Sequence, residues 1–173
     1  LLKQYRQNQG LSVSMVDIEA VYDEFSFGQR TPQALKDFLE YARTTWKKKP
    51  GFAIFAGDAS YDPRNYTGIG DFDLVPSKLI DTVFMETSSD DWFADANGDG
   101  IPELALGRFP VRTVEEAAVI VQKIIAYEQA TKADSVLLVA DLIDIYDFEG
   151  ASSLLESLVP SNVKVQVVNR GQI

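Results

Sequence analysis

The stretch Asp95-Ala-Asn97-Gly-Asp99-Gly100-Ile101-Pro102-Glu103 places oxygen-bearing side chains at positions 1, 3 and 5 of a loop, with glycine at position 6. That spacing is the first half of an EF-hand-type calcium loop. Alternate residues of a tightly curled loop point inward, and Gly100 permits the turn that brings the Ile101 carbonyl onto the ion. Ca²⁺ favours such hard oxygen ligands in a flexible shell. The bidentate Glu of position 12 is missing: Leu106 stands there, Glu103 falls at position 9, and Pro102 opposes an exiting helix. The outstanding ligands are therefore expected from Glu86, Asp90 or Asp91 just upstream. Charge points the same way. Between Leu79 and Gly107 there are seven acids and no Lys or Arg, a block that is costly to fold tightly without a counter-ion. The competing reading is a solvated acidic turn in which Asn-Gly and Asp-Gly serve only turn geometry. Ligand spacing and unbalanced charge together favour calcium.

Two further acidic stretches follow the ends of expected strands. Gly57-Asp58-Ala-Ser60-Tyr-Asp62-Pro lies just past a short apolar run, at the edge where open α/β sheets bind ligands. Asp58 and Ser60 are placed there to orient a substrate or a neighbouring group, or else Asp58 simply caps a turn. Asp141, Asp144, Asp147 and Glu149 follow a second apolar run. They suit a pocket for a basic side chain or another cation site, but acids are commonplace in such loops, which favours a solvated loop in which Asp147 sits at a helix start. Ser60 lacks the G-x-S-x-G surround of an esterase nucleophile, and no Lys-Ser/Thr follows Gly68 or Gly70 to make a phosphate loop.

The elements that must position these groups alternate between strands and amphipathic helices. Leu1–Gln9 reads as a helix tail closed by Gly10, and Ser12–Ile18 alternates like a strand. Thr31-Pro32 starts a helix, with Leu35, Phe38, Leu39, Ala42 and Trp46 on one face. Lys47, Lys48 and Lys49 are expected to close it before Pro50-Gly51. Phe52–Ala56 has the continuous apolar character of a buried parallel strand. Ala59–Ser77 is loop-like, and Thr82–Glu86 and Leu104–Gly107 are expected strands. Thr113-Val-Glu-Glu116 has the form of a capping box. The helix after it carries Val114, Ala117, Ala118, Val121, Ile124 and Ile125 on one face. Ser135–Ala140 is a strand, Leu154, Leu155 and Leu158 mark a helix, and Val163–Val168 a last strand. Tyr22, Phe25 and Phe27 are expected to pack as an aromatic cluster. This order predicts an α/β three-layer sandwich, with a mostly parallel sheet and helices on both faces. No linker divides the chain, so residues 1–173 are expected to form one domain.

Composition excludes whole classes of chemistry. The 173 residues contain no cysteine and no histidine, which removes disulfides, ordinary zinc sites, a Cys nucleophile and any His-based triad from within them. A formal charge of −10 repels phosphates, so nucleic acid is not an expected partner. No apolar run reaches the length of a membrane span, and no signal peptide opens the chain. A first residue of Leu suggests a piece of a longer protein.

Several stretches in combination resemble the gingipain-like cysteine peptidases, peptidase family C25. They are Val21-Tyr-Asp-Glu-Phe-Ser-Phe-Gly28 with Thr31-Pro32, Gly57-Asp-Ala-Ser-Tyr-Asp-Pro63, Ser89-Asp-Asp-Trp-Phe-Ala-Asp95, Asp99-Gly-Ile-Pro102 and Gly107-Arg-Phe-Pro-Val-Arg112. The resemblance runs from about Leu1 to Phe148. It implies a caspase-like α/β sandwich and a Cys–His dyad that cleaves peptide bonds. It also implies a structural calcium site at the acidic loop and a secreted or cell-surface bacterial protein. Both dyad residues lie downstream of the matched region, so none is carried onto this chain. The chain then looks like the N-terminal half of a catalytic domain whose partners are its missing C-terminal half and a protein or peptide substrate. Gly57, Asp58 and Asp147 are the expected cleft residues. The rival expectation is a catalytically inactive calcium-binding scaffold or secretion-associated module of the same fold.

Overall fold

A computed structural model describes residues 1–70, 72–130 and 135–172. Its contacts divide them into two compact units, Leu1–Ala126 and Tyr127–Ile173.

The first unit opens with helices α1 (Leu2–Asn8), α2 (Ile18–Ser26) and α3 (Pro32–Thr45). Gly10, with φ of 87°, turns the chain out of α1. Residues 12–17 are irregular rather than a strand. Their apolar alternation yields to Asp17, whose carboxylate accepts from the Glu19 N–H at 3.1 Å and starts α2 as its N-cap. Thr31 caps α3 through the Ala34 N–H, with Pro32 in the first turn. Leu35, Leu39 and Ala42 are buried on the expected face. The helix stops at Thr45, because Trp46 turns extended (ψ 140°), so the three lysines lie beyond its end. Tyr22 is 1% exposed, and burial, followed by the nearby Asp73 charge, raises its phenol to about 12. Phe25 packs edge-on against Phe38 and Tyr41. Phe27 departs from the expected aromatic cluster. It occupies the left-handed position that ends α2 (φ 54°), where glycine is usual, and its ring is solvent-exposed.

Strand β1 (Phe52–Ala56) pairs in parallel with β4 (Ala105–Phe109), Phe52 opposite Ala105 and Ala56 opposite Phe109. It is not buried on both faces. Ala53 and Phe55 turn to the core while Phe52 and Ile54 are exposed. Between them lie an antiparallel hairpin, β2 (Lys78–Asp81) and β3 (Glu86–Ser89), and the one-turn helix α4 (Asp91–Ala94). The expected strand at Thr82–Glu86 is mostly the hairpin turn. Thr82 N–H and hydroxyl both donate to the Met85 carbonyl, at 3.0 and 2.7 Å, so four residues are consumed in reversing the chain. Val21, Tyr22, Leu35, Leu39, Val75, Phe93 and Leu104 join α2, α3, α4 and the β1–β4 pair in one core.

Helix α5 (Val114–Gln129) begins at the expected cap: the Thr113 hydroxyl accepts from Glu116 N–H at 3.2 Å. The reciprocal bond shifts by one residue, because the Glu116 carboxylate accepts from the Arg112 N–H. Ala117, Val121, Ile124 and Ile125 are half-buried, but Val114 and Ala118 of the expected face are exposed. In the second unit, β5 (Ser135–Ala140) pairs in parallel with β6 (Lys164–Asn169), and α6 (Phe148–Leu158) crosses between them and packs on both. The architecture is an α/β fold with parallel sheets flanked by helices.

Candidate metal centre

Helix α4 delivers the acidic loop. Phe93 and Ala94, 2% and 4% exposed, anchor it in the core, and Asp95 ends the helix with its own residue only 9% exposed. Gly98 and Gly100 then take φ of 76° and 84°. This left-handed backbone is cheap only for glycine, and it curls the chain around the Asp95 carboxylate. Oδ1 accepts from the N–H groups of Gly98 (2.7 Å) and Asp99 (3.2 Å), and Oδ2 accepts from that of Gly100 (2.9 Å). Burial pushes the Asp95 carboxyl up. The three backbone donors and the Lys36 charge together outweigh it and hold the group below its ordinary value. The loop closes where the Glu103 N–H reaches the Ala94 carbonyl at 3.0 Å and the Glu103 carboxylate accepts from Ala96 N–H at 2.7 Å.

One carboxylate oxygen each from Asp95, Asp99 and Glu103 lies within 4.8 Å of the others. The set is all hard oxygen, and each carboxylate keeps acceptor capacity. Asp99 Oδ1 takes the Ile101 N–H while Oδ2 takes only the Asn97 amide, and Glu103 bonds through Oε2. This donor chemistry fits a hard divalent cation. Asn97 sits in the same curl, its Oδ1 accepting from the Asp99 N–H at 2.9 Å, and Ile101 lies at the exposed rim.

The upstream acids do not join them. Asp90 is gripped by Arg108, which donates from Nε and Nη2 to its two oxygens, each at 2.8 Å. Glu86 accepts from the Tyr61 hydroxyl at 3.0 Å. Asp91 lies in the first turn of α4, outside the cluster. The local charge imbalance is thus partly relieved by a cation one residue beyond the acidic block, brought back by the β1–β4 pairing.

Arg108 also positions the end of β1. Its guanidinium, on a side chain 11% exposed, donates to the carbonyls of Gly57 (2.9 Å), Val75 (2.6 Å) and Pro76 (3.2 Å). Gly57 is required there for space: a Cβ would lie 2.6 Å from Val75 Cγ2 and 3.0 Å from Leu74 Cβ. The Asp58 carbonyl accepts from the Leu74 and Val75 N–H groups. Its carboxylate takes Arg112 Nε at 2.7 Å, and the Arg112 guanidinium lies 3.9 Å from the Phe72 ring centre. Asp58 is therefore a tied loop residue. Asp147 belongs to the second unit and caps α6, its Oδ1 accepting from Gly150 N–H at 2.8 Å. Sequence reasoning gave no role to Arg108, Arg112 or Lys36, whose partners stand 18 to 59 positions away along the chain.

The profile of peptidase family C25 matches residues 1–171. The chain belongs to that family. No curated protein and no solved structure matches it. Its α/β architecture is consistent with a caspase-like half-domain, and its membership marks a protease-related domain of a protease-type parent protein. Among the described residues, no helix is long and apolar enough to cross a membrane.

Proposed function

We propose that residues 1–173 are the N-terminal part of one catalytic domain, in a secreted or cell-surface, calcium-stabilised cysteine endopeptidase. The reading is carried by a C25 match over residues 1–171 in a sequence that has neither Cys nor His. The Cys–His dyad is then supplied by chain downstream of this segment. There, imidazole would take the thiol proton and the thiolate would attack the scissile carbonyl. This segment contributes the frame and the metal loop, with Gly57 and Asp58, just past β1, as substrate-contacting residues of the first unit and Asp147, at the start of α6, as one of the second. Asp95, Asp99 and Glu103 would hold Ca²⁺, joined by Asn97 and the Ile101 carbonyl. The ion supplies positive charge that offsets the mutual repulsion of the three carboxylates. Its partners are the downstream half of the domain and a protein or peptide substrate.

The test is to express the complete natural polypeptide beside the 173-residue chain and to follow peptide hydrolysis and thiol alkylation. Turnover by the complete protein, abolished by replacing its cysteine, with a silent 173-residue chain, is the expected result. A natural polypeptide that lacks the cysteine and histidine, or that has both and hydrolyses nothing, would establish the inactive calcium scaffold instead.

A further inference from the structure

Two turns of the first unit hold aromatic and apolar side chains out in solvent on a braced backbone. The first is the loop of residues 59–70, which leaves Gly57 and Asp58 past the end of β1 and exposes Tyr61, Tyr66 and Ile69. Its backbone is pinned from within. Asp62 Oδ1 accepts from the Tyr66 N–H at 3.0 Å, and Oδ2 accepts from the Thr67 N–H and hydroxyl at 2.7 and 2.8 Å. Asn65 Oδ1 accepts from the Gly70 N–H at 2.9 Å, and Asp73 Oδ1 from the Ser60 N–H at 3.0 Å. Both exposed tyrosine rings are tethered at their hydroxyls. Arg64 Nη1 donates to that of Tyr66 at 3.1 Å, and that of Tyr61 donates to Glu86 at 3.0 Å. The second turn joins β2 to β3. Thr82 makes its closing bonds, so polar residues would serve equally well after it, yet Val83, Phe84 and Met85 stand there, all exposed. Such a run on a surface marks a contact site. The Tyr61–Glu86 bond ties the two turns together.

We propose that the 59–70 loop and the β2–β3 turn form a secondary binding surface for the polypeptide substrate, taking apolar side chains of an extended segment beyond the residues that flank the scissile bond. The inference deepens the peptidase reading above and rests on it. The occupant follows from position, chemistry and charge. The loop continues directly from Gly57 and Asp58, at the edge where open α/β sheets bind ligands. With their hydroxyls engaged, the tyrosine rings offer mainly apolar faces, and Phe84 and its neighbours offer nothing else. Asp81 and Glu86 pair across the base of the turn, and with a chain charge of −10 they disfavour an acidic segment. Bracing matters because a partner that stops a mobile loop or side chain loses affinity to the ordering entropy, and here that ordering is built in. Tyrosine is also among the residue types that dominate binding energy at protein contacts.

The experiment uses the complete natural polypeptide and two synthetic peptides made around one bond that it cleaves in denatured casein. The short peptide covers only the residues flanking that bond, and the long one keeps the apolar casein sequence on both sides. The variants are Tyr66→Ser, Phe84→Ser and the two combined. Their side chains are 79% and 91% exposed, so the fold is expected to survive, and circular dichroism checks it. For the double variant, KM on the long peptide is expected to rise about tenfold with kcat unchanged, while the short peptide is cleaved as by the parent. Tyr66→Phe keeps the ring and is expected to match the parent on both. Unchanged KM on the long peptide, or a Tyr66→Phe as impaired as Tyr66→Ser, overturns the inference while the peptidase reading stands. Equal losses on both peptides with a lowered melting temperature also overturn it, by assigning the patch to the downstream half of the domain. A complete polypeptide that cleaves neither casein nor any peptide overturns the peptidase reading and this inference together.

Discussion

The acidic loop Asp95–Glu103 and the acidic stretch Asp141–Glu149 look alike in composition, yet they fold to opposite ends. In the first, two glycines at positive φ wrap the backbone around Asp95 and bring Asp99 and Glu103 to it. In the second, no described residue has positive φ, and its three aspartates settle on separate neighbours. Asp141 takes the Leu142 N–H and Arg170, Asp144 takes the Tyr146 N–H, and Asp147 caps α6. The difference teaches that acidity alone does not make a cation site. What gathers carboxylates is a backbone that can turn left-handed between them and a core, here Phe93 and Leu104, that holds both ends of the loop.

That contrast breaks most severely at Arg108. Arg108→Ala removes both bonds to Asp90 and three carbonyl bonds, and leaves a largely sheltered carboxylate unpaired. Urea unfolding is expected to show a loss of about 3 kcal/mol or more. Arg108→Lys recovers only part of it, because an ammonium cannot reproduce the two-pronged grip.

Next is Asp95. Asp95→Asn leaves three loop N–H groups competing for a weaker acceptor and should lower the melting temperature at neutral pH. Its folded pKa lies below the ordinary carboxylate value, so ionised Asp95 stabilises the fold above that value and the contribution is lost as pH falls through the folded pKa. The acid limb of a stability–pH curve should therefore flatten in Asp95→Asn. Asp141 is also lowered, by the Leu142 N–H first and Arg170 second. The sign is the same, but its ion pair is exposed on both sides, so added salt should erase its share first.

The smallest effect belongs to Asp147. Asp147→Ala removes one helix cap and should cost about 1 kcal/mol in chemical denaturation, with no change in the response to Ca²⁺.

Elements with strong local signals were legible before the structure. Thr31-Pro32 opened α3, the apolar runs became β1 and β5, and Asp95, Asn97, Asp99 and Glu103 do share one curl. The failures came where a local pattern met a stronger neighbour. The alternation at Ser12–Ile18 lost to the Asp17 cap, and the apolar Val83-Phe84-Met85 lies in a turn because Thr82 bonds back to Met85. Asp90 was misplaced for another reason. Its partner, Arg108, is 18 residues away and arrives only when β4 pairs with β1. Spacing along the chain reports a loop that closes on itself, but not a side chain delivered by strand pairing.

The central claim is that the Asp95–Glu103 loop, and not the Asp141–Glu149 stretch, takes up a divalent cation. The direct measurement is the melting temperature of the chain with and without millimolar Ca²⁺, beside the double variants Asp99→Asn/Glu103→Gln and Asp141→Asn/Asp144→Asn. A ligand that binds only the folded state raises the midpoint by mass action. The account expects a Ca²⁺-dependent rise in the parent and in the second variant, and none in the first. No rise in the parent, or a rise lost only in the Asp141/Asp144 variant, would contradict it.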